Sequence, residues 1–487
     1  MDTVTVKTPI SLTIAHPLFE QLQEHLFPGD WDEHAAVIAA GLVTTSRGTR
    51  LLARDVFLAR DGIDFVPGTR GYRALTAQFV AEMSDHCGQE NLCYLTVHCH
   101  GGTDEVGLSG DDLASHERGY PAILDITKGG PVGGLVFATQ AVAGDIWTVQ
   151  GRFPLDHLTV IGSRIRTLYA SRQPRPLHCD PVYDRHARLF GDVGQGILTN
   201  LKVGIIGLGG GGSLLNEWLS RLGVGHIVGV DFDRVDVTNL PRVVGASSWD
   251  AHAWLTRRRT NWIQKIGRRY ANYKVVVARR VAKRANPAIQ YDVVIGNVLD
   301  EEVALLLRDV DFLFLASDTI QSRLVFNALT QQYLIPGAQV GAKVLTEKET
   351  GRVGDITVAT RLVLPFPRGG CLECHGLIPA SFLNMESMNI EGRKKQRYVD
   401  DDTVVEPSVI TLNALSAAQA ANDLMMMFAG LYHERVTLPH QIHFARERRL
   451  FTVEGAANDA CPDCGSNSRS RRARGDRYRL PCRMVRY

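Results

Sequence analysis

Hydrophobic positions in residues 1–165 fall into short runs of mixed period. The apolar stretch that follows Asp32-Glu33, from Ala35 through Leu42, reads as a helix and passes into Leu51-Leu52-Ala53 and Val56-Phe57-Leu58. Strands are predicted at Leu92–Val97, Gly134–Phe137 and Ile146–Val149, so this region reads as an α+β unit. Between 166 and 184 the apolar pattern stops, and Pro174, Pro176 and Pro181 predict an extended linker. From 185 strand and helix alternate. Lys202–Ile206, Ile227–Val230 and Asp311–Ala316 are predicted buried strands, and Leu214–Leu222 and Lys274–Ala285 predicted helices. That alternation implies an α/β unit with a doubly wound parallel sheet, running to residue 465. Residues 466–487 carry eight Arg and one acid. They read as a solvated basic tail, with a docking arm for an acidic partner as the alternative.

Composition narrows the function classes. The 487 residues contain 54 Lys+Arg and 52 Asp+Glu, a net charge of +2, so no overall field calls for nucleic acid or a membrane surface. No uncharged apolar run reaches the about 18 residues that span a bilayer. The first residues lack a basic segment followed by an apolar one, which predicts a soluble, cytoplasmic protein. Nine Cys are present, four of them in two Cys-x-x-Cys pairs, and without an export signal that favours metal over disulfides.

Candidate chemistry in the first region centres on Leu95-Thr-Val-His98-Cys-His100, followed by Ser109-Gly-Asp-Asp112. Positions i and i+2 of a strand share a side, so His98 and His100 can face one metal. Two imidazoles and a carboxylate leave zinc an open fourth position, the catalytic arrangement. Glu33 is the candidate proton carrier, and Ser109 a donor to the oxyanion of an attacked carbonyl. The order Glu33, His-x-His, Ser-x-x-Asp resembles the JAMM (JAB/MPN) metallopeptidases, which cut bonds after ubiquitin-like proteins. The resemblance implies a catalytic Zn²⁺ on His98, His100 and Asp112, with Glu33 as base and Ser109 as oxyanion helper. Gly101 stands where that family usually has Pro, and the span from His100 to Ser109 is one residue longer than usual. Asp111 therefore competes with Asp112 as ligand, and a metal-free binding scaffold is the alternative.

In the second region Gly204-Ile-Ile-Gly207-Leu-Gly209-Gly210-Gly211-Gly212-Ser213 follows a strand and opens a helix. Glycines let the backbone approach phosphate, and the helix N-terminus supplies unpaired N–H groups. Asp231 ends the next strand, where an acid can hold ribose hydroxyls. A nicotinamide dehydrogenase would fit those two features. It has no use for the rest: Asp231-Phe-Asp233 and Asn239-Leu-Pro-Arg242, Lys274 at a helix start, and Asp318 beyond a buried strand, followed by Arg323 and Asn327. A triphosphate with Mg²⁺ uses such acids and cations together.

These residues resemble the ThiF/MoeB/E1 superfamily over roughly 185–465 (a span taken from the motifs and the βα alternation). The superfamily adenylates the C-terminal glycine of ubiquitin-like proteins. By that resemblance Gly207, Gly209, Gly210 and Gly212 form the ATP loop, Asp231 binds ribose with Asp233 beside it, Asn239, Arg242 and Lys274 bind the phosphates, and Asp318 holds Mg²⁺. Arg188 matches an arginine inserted into a neighbour's active site, which implies a homodimer. An insertion carrying Trp254 and Arg257-Arg258-Arg259 lies between Arg242 and Lys274. It reads as a solvated loop or as a contact for a protein substrate.

Cys371-Leu-Glu-Cys374 and Cys461-Pro-Asp-Cys464 supply four thiolates for a closed, structural zinc site, and ThiF/MoeB proteins carry the same two pairs. From His375 to Ser408 there is no Cys, but there is a basic run, Gly392–Arg397, suited to a loop over an acidic tail. Cys482 is a candidate thiol for a thioester step, while Cys87, Cys93, Cys99 and Cys179 read as core or bystander residues. The expectation is a fused JAMM protease and E1-like activator in a bacterial ubiquitin-like conjugation system, with an antiviral role by analogy and an E2-like protein as a further partner. The alternative is activation of a sulfur carrier for thiamine, molybdopterin or cysteine synthesis.

Overall fold

The computed structural model describes residues 9–483, apart from 31, 68–72, 175–176, 258–260, 347–351, 367–368, 388–406, 434–435 and 456. The basic run Gly392–Arg397 and Arg258-Arg259 lie outside the described residues. The chain divides into two compact units, the first made of residues 1–174, 331–334 and 466–479, the second of 175–330, 335–465 and 480–487.

The first unit is built on an eight-stranded sheet. Its strands are β1 (Ile10–Ala15), β2 (Ala35–Thr45), β3 (Gly48–Leu58), β4 (Cys93–Cys99), β5 (Val132–Phe137), β6 (Val142–Thr148), β7 (Gly151–Ile161) and β8 (Arg166–Leu168), in the order β1-β3-β2-β4-β5-β6-β7-β8. Because β1 pairs with both β3 and β7, the sheet closes on itself. Helices α1 (His16–Leu26), α2 (Ala77–Glu90) and α3 (Gly110–Ile126) complete the unit.

The predicted helix at Ala35–Leu42 is strand β2. It runs between β3 and β4, and its two faces feed two cores. Ala36, Ile38 and Ala40 join one with Leu12, Leu95 and Leu135, while Ala35, Val37 and Ala39 join the other with Phe79, Tyr94 and Tyr120. A strand buried on both sides shows no alternation of polar and apolar residues, so its sequence imitates a buried helix. The predicted linker is also shorter than 166–184, since β8 is hydrogen-bonded to β7 and Val142 N donates to the Tyr169 carbonyl.

The Arg-rich segment is not a solvated tail. Ser466–Arg479 belongs to the first unit, with Arg472 and Arg474 both buried. Arg54 of β3, 2% exposed, donates to the carbonyls of Asn467, Ser470 and Arg472. Arg472 pairs with Asp55 at 2.9 Å and Arg474 with Glu90 at 2.6 Å. Gly41 and Gly475 lie where this strap crosses β2: a Cβ at either would meet the opposite backbone at 2.0 or 2.1 Å. Backbone carbonyls and two acids accept from the terminal guanidinium nitrogens of these three arginines, which is how the strap accommodates them.

In the second unit the strands are β9 (Lys202–Ile206), β10 (His226–Val230), β11 (Gln290–Val294), β12 (Phe312–Leu315), β13 (Gly337–Thr346), β14 (Val353–Val363), β15 (His440–Phe444) and β16 (Arg449–Val453). The order β11-β10-β9-β12-β13 is parallel, and β14 to β16 extend it antiparallel. This is a Rossmann-like sheet that reverses direction of growth between β9 and β12, the place where such sheets bind ligands. The predicted boundaries of Lys202–Ile206 and Lys274–Ala285 match those observed. Among the described residues no helix is long and apolar enough to cross a membrane.

Candidate functional site

Two sites emerge, one in each unit. In the first, strand parity decides what faces what. Odd positions of β4 (Cys93, Leu95, Val97, Cys99) enter one core, so Thr96 and His98 face the other way, with His100 following. The antiparallel register pairs Ala35 of β2 with His98, and the Cys99 N–H donates to the His34 carbonyl. Two residues earlier along β2, that register puts Glu33 opposite His100, and its Oε1 lies 3.9 Å from His100 Nε2.

The third side comes from α3. Ser109 is its N-cap and Asp112 its third residue, linked in a reciprocal capping box. That box decides between the neighbouring acids: Asp112, not Asp111, faces the histidines. His98 Nε2 and His100 Nε2 are 3.1 Å apart, and Asp112 lies 3.4 Å from the first and 3.6 Å from the second. Zinc–ligand bonds of about 2.1 Å in a tetrahedron give edges of about 3.4 Å, so the donor set fits that ion. Burial pushes the Asp112 carboxyl up, but hydrogen bonds with His98 and Ser109 outweigh it and hold the group well below the usual carboxylate range. The helix N-terminus favours the same ionised form. The Ser109 hydroxyl donates to Asp112 Oδ2 at 2.7 Å.

At the second site the ends of three strands converge. Val230, Ile206 and Leu315 lie in one row across β10, β9 and β12. Beyond them Gly207 (φ +86°) packs on the loop that leads to Asp318: a Cβ there would lie 3.0 Å from the Ala316 carbonyl and 3.1 Å from Ser317 N. Helix α5 (Gly210–Arg221) starts at this point. Asp231 is buried and accepts from the N–H groups of Leu208 and Asp233, each at 2.7 Å. Burial raises its pKa, opposed by the nearby Lys274 charge. Lys274 opens α8 (Lys274–Ala285) and holds Asp233 Oδ2 at 2.6 Å. Asn239 is buried and caps a turn by accepting from Asp236 N. Arg242 Nε is buried and has no hydrogen-bond partner among the described residues, and Asp318 is exposed. Arg188, on α4 (Asp184–Asn200), is exposed and pairs with Asp184 four residues earlier.

The insertion forms two short helices, α6 (Ala253–Thr256) and α7 (Asn261–Tyr270). Trp262, Ile266 and Tyr270 lie along one exposed side of α7, and Trp249 and Trp254 are exposed nearby in sequence.

The four predicted zinc cysteines come together. Cys371 and Cys461 sulfurs are 3.7 Å apart and those of Cys374 and Cys464 3.5 Å. A tetrahedron with about 2.3 Å zinc–sulfur bonds has edges near 3.8 Å, so this set also fits. Asn327, grouped by sequence with Asp318, sits here instead. Its amide donates to Asp463 at 2.5 Å and to Cys371 Sγ at 3.4 Å, while its carbonyl accepts from Leu372 N. Sequence reading missed both partners, although Asp463 lies inside the second Cys-x-x-Cys pair. Elsewhere, burial pushes the Cys87 thiol up to about 12 and Cys93 to about 11. Cys482 approaches the Val298 carbonyl at 3.9 Å.

Comparison with known proteins now places the second unit. The ThiF family model matches residues 183–463. The molybdopterin-synthase adenylyltransferase of Escherichia coli is 31% identical over 135 residues, 28% of this chain and 47% of that protein, so the chain spans about half the length of this relative. The sulfur carrier protein ThiS adenylyltransferase of Bacillus subtilis is 22% identical over 285 residues, 57% of this chain and 68% of that protein. Among solved structures, E. coli MccB with ATP is similar over 60% of this chain and 76% of that one, at 19% identity and a TM-score of 0.42.

Proposed function

The chain belongs to the ThiF family through residues 183–463, and from that premise we propose that its second unit adenylates the C-terminal glycine of a small protein of the sulfur-carrier or ubiquitin-like class. The carboxylate of the incoming tail attacks the α-phosphorus of ATP, the bond to the bridging oxygen breaks, and pyrophosphate leaves. No covalent enzyme intermediate is needed, so positioning and charge neutralisation carry the step. Arg242, whose buried Nε lacks a partner among the described residues, and Lys274 are the cations for the phosphates. Asp231 is placed for the ribose, and Asp318 with Asp233 are the acids to hold Mg²⁺, which when bound offsets phosphate charge. Arg188 is exposed, as a residue that reaches a second copy must be. The four-cysteine set holds a structural zinc, and the aromatic side of α7 contacts the protein substrate.

The observation that carries this reading is the row of strand ends at β10, β9 and β12, which brings the glycine loop, Asp231 and the Asp318 loop to one mouth. ATP–pyrophosphate exchange tests it. Exchange should require a polypeptide ending in glycine and should be abolished by Asp318→Ala. NAD binding without exchange would refute it.

A second activity is favoured by the triangle of His98, His100 and Asp112. We infer a JAMM-type zinc peptidase that matures the modifier or removes it. Zinc there supplies Lewis acidity. Glu33, beside His100, moves the proton between the attacking water and the leaving amine, and the Ser109 hydroxyl turns from Asp112 to donate to the oxyanion. His98→Ala with His100→Ala should remove one of two zinc equivalents and leave exchange intact.

A further inference from the structure

Helix α3 carries Asp112, His116 and Tyr120 at steps of four, so all three lie on one face. That face meets the strand side that bears the histidines. Asp112 faces His98, and two strand positions away Tyr120 Oη lies 2.6 Å from Thr96 Oγ1. Between them, His116 Nδ1 is 2.8 Å from Asp145 Oδ2 on β6 and its ring stacks on Tyr120 at 4.3 Å. Asp145 is itself clamped by Arg152 Nε at 2.5 Å and Trp147 Nε1 at 2.9 Å. Burial raises its pKa, but these bonds outweigh it and bring the carboxyl to about 2. Beneath the helix lies Gly134. A Cβ on it would stand 2.2 Å from His116 Nε2 and 2.6 Å from Tyr120 Oη, closer than real atoms come.

A buried ion pair is a poor way to add stability, because desolvation cancels much of the attraction. Its value is in fixing a position. Helix α3 owns one of the three metal-ligating groups, and β4 with the residue that follows it owns the other two, so the distance between these elements sets the shape of the site. We infer that His116 and Tyr120, seated over Gly134, are positioning residues that set the spacing of Asp112 from His98 and His100, and with it the zinc affinity of the site. This rests on reading those three residues as metal ligands.

The test uses the full chain and zinc alone, titrated in competition with a chromophoric chelator. Cobalt substitution separates the two sites, since only the four-cysteine set gives thiolate charge-transfer bands. Gly134→Ala and His116→Ala should each weaken zinc at the histidine site about 10- to 100-fold, the range for groups that orient metal ligands. The cysteine site should stay unchanged, and His116→Gln, which can still reach Asp145, should recover part of the loss. Tyr120→Phe, which removes only one hydroxyl, provides the readout if either of the first two fails to fold. If the variants lower the melting temperature of the zinc-free protein but bind zinc as tightly as the unaltered chain, the residues merely hold the helix and the inference is wrong. If the unaltered chain takes up zinc only at the cysteines, the ligand reading fails first and this inference with it.

Discussion

If the glycine loop holds ATP as proposed, two glycines three positions apart separate nucleotide contact from packing. A Cβ added at Gly212 would sit 1.8 Å from the Gly207 carbonyl oxygen, a backbone atom. To reach the 3.0 Å below which such contacts are not found, the loop must move by about 1.2 Å, and overpacking of this kind costs typically about 1–3 kcal/mol. For a unit of this size each kcal/mol lowers the melting temperature by about 2–4 °C. A shift of about 1 Å in a positioning element also costs about 100-fold in rate. Gly212→Ala should therefore lower both the melting temperature of the free protein and ATP–pyrophosphate exchange. Gly209 differs. Its φ of −75° is negative, and a Cβ there meets no described atom within 4 Å. Gly209→Ala should leave the free protein's melting temperature within about 1 °C, as for surface changes away from special features. It should still weaken ATP binding by isothermal titration, because its open side is the nucleotide's side. Wild-type exchange in Gly212→Ala, or wild-type ATP affinity in Gly209→Ala, would refute this assignment of the loop.

Two further outcomes follow from buried charge. Arg54→Met removes the guanidinium that bonds the carbonyls of Asn467, Ser470 and Arg472, and should destabilise the first unit by about 3 kcal/mol, with new protease cleavage inside 466–479; an unaltered digestion pattern would contradict it. His440 is held down to about 3 by burial, then by His375 and Arg361. The unfolded chain therefore takes up a proton below pH 6.5 that the folded one refuses until about pH 3. This contribution is complete above 6.5 and is lost on acidification at about 1.4 kcal/mol per pH unit, so about 2 kcal/mol is gone by pH 5. Denaturant midpoints measured from pH 7 to 5 should fall less in His440→Gln; parallel slopes would refute the account.

Legibility in the sequence varied with the physics of each feature. The histidine pair and its acid could be read because strand parity and a capping box are local rules. The choice of Asp112 over Asp111 stayed open in the sequence, and it is the observed start of α3 that makes Asp112 the capping third residue. The glycine loop and the strands around it were legible for the same reason, since one turn and one register position them. β2 was not, because a strand with two buried faces has no polar side to betray its period. The Arg-rich strap misled for a different reason. Carbonyl oxygens and two acids accept from Arg54, Arg472 and Arg474 at positions set by the folded chain, and no sequence pattern displays them. Asn327 was placed with Asp318 by proximity along the chain, although more than two helical turns separate them and the cysteine cluster claims its amide.

The path of the polypeptide has a consequence for biosynthesis. On the ribosome, residues 1–174 emerge long before Ser466–Arg479, which finish the same unit. Until residues 466–479 have been made, Arg54 is a cation without the strap's carbonyls and the backbone of β2 waits for Gly475. The first unit is thus completed only after most of the second has been made. Splitting the gene at residue 174 would yield an incomplete product unless the strap were supplied in trans or grafted onto its end.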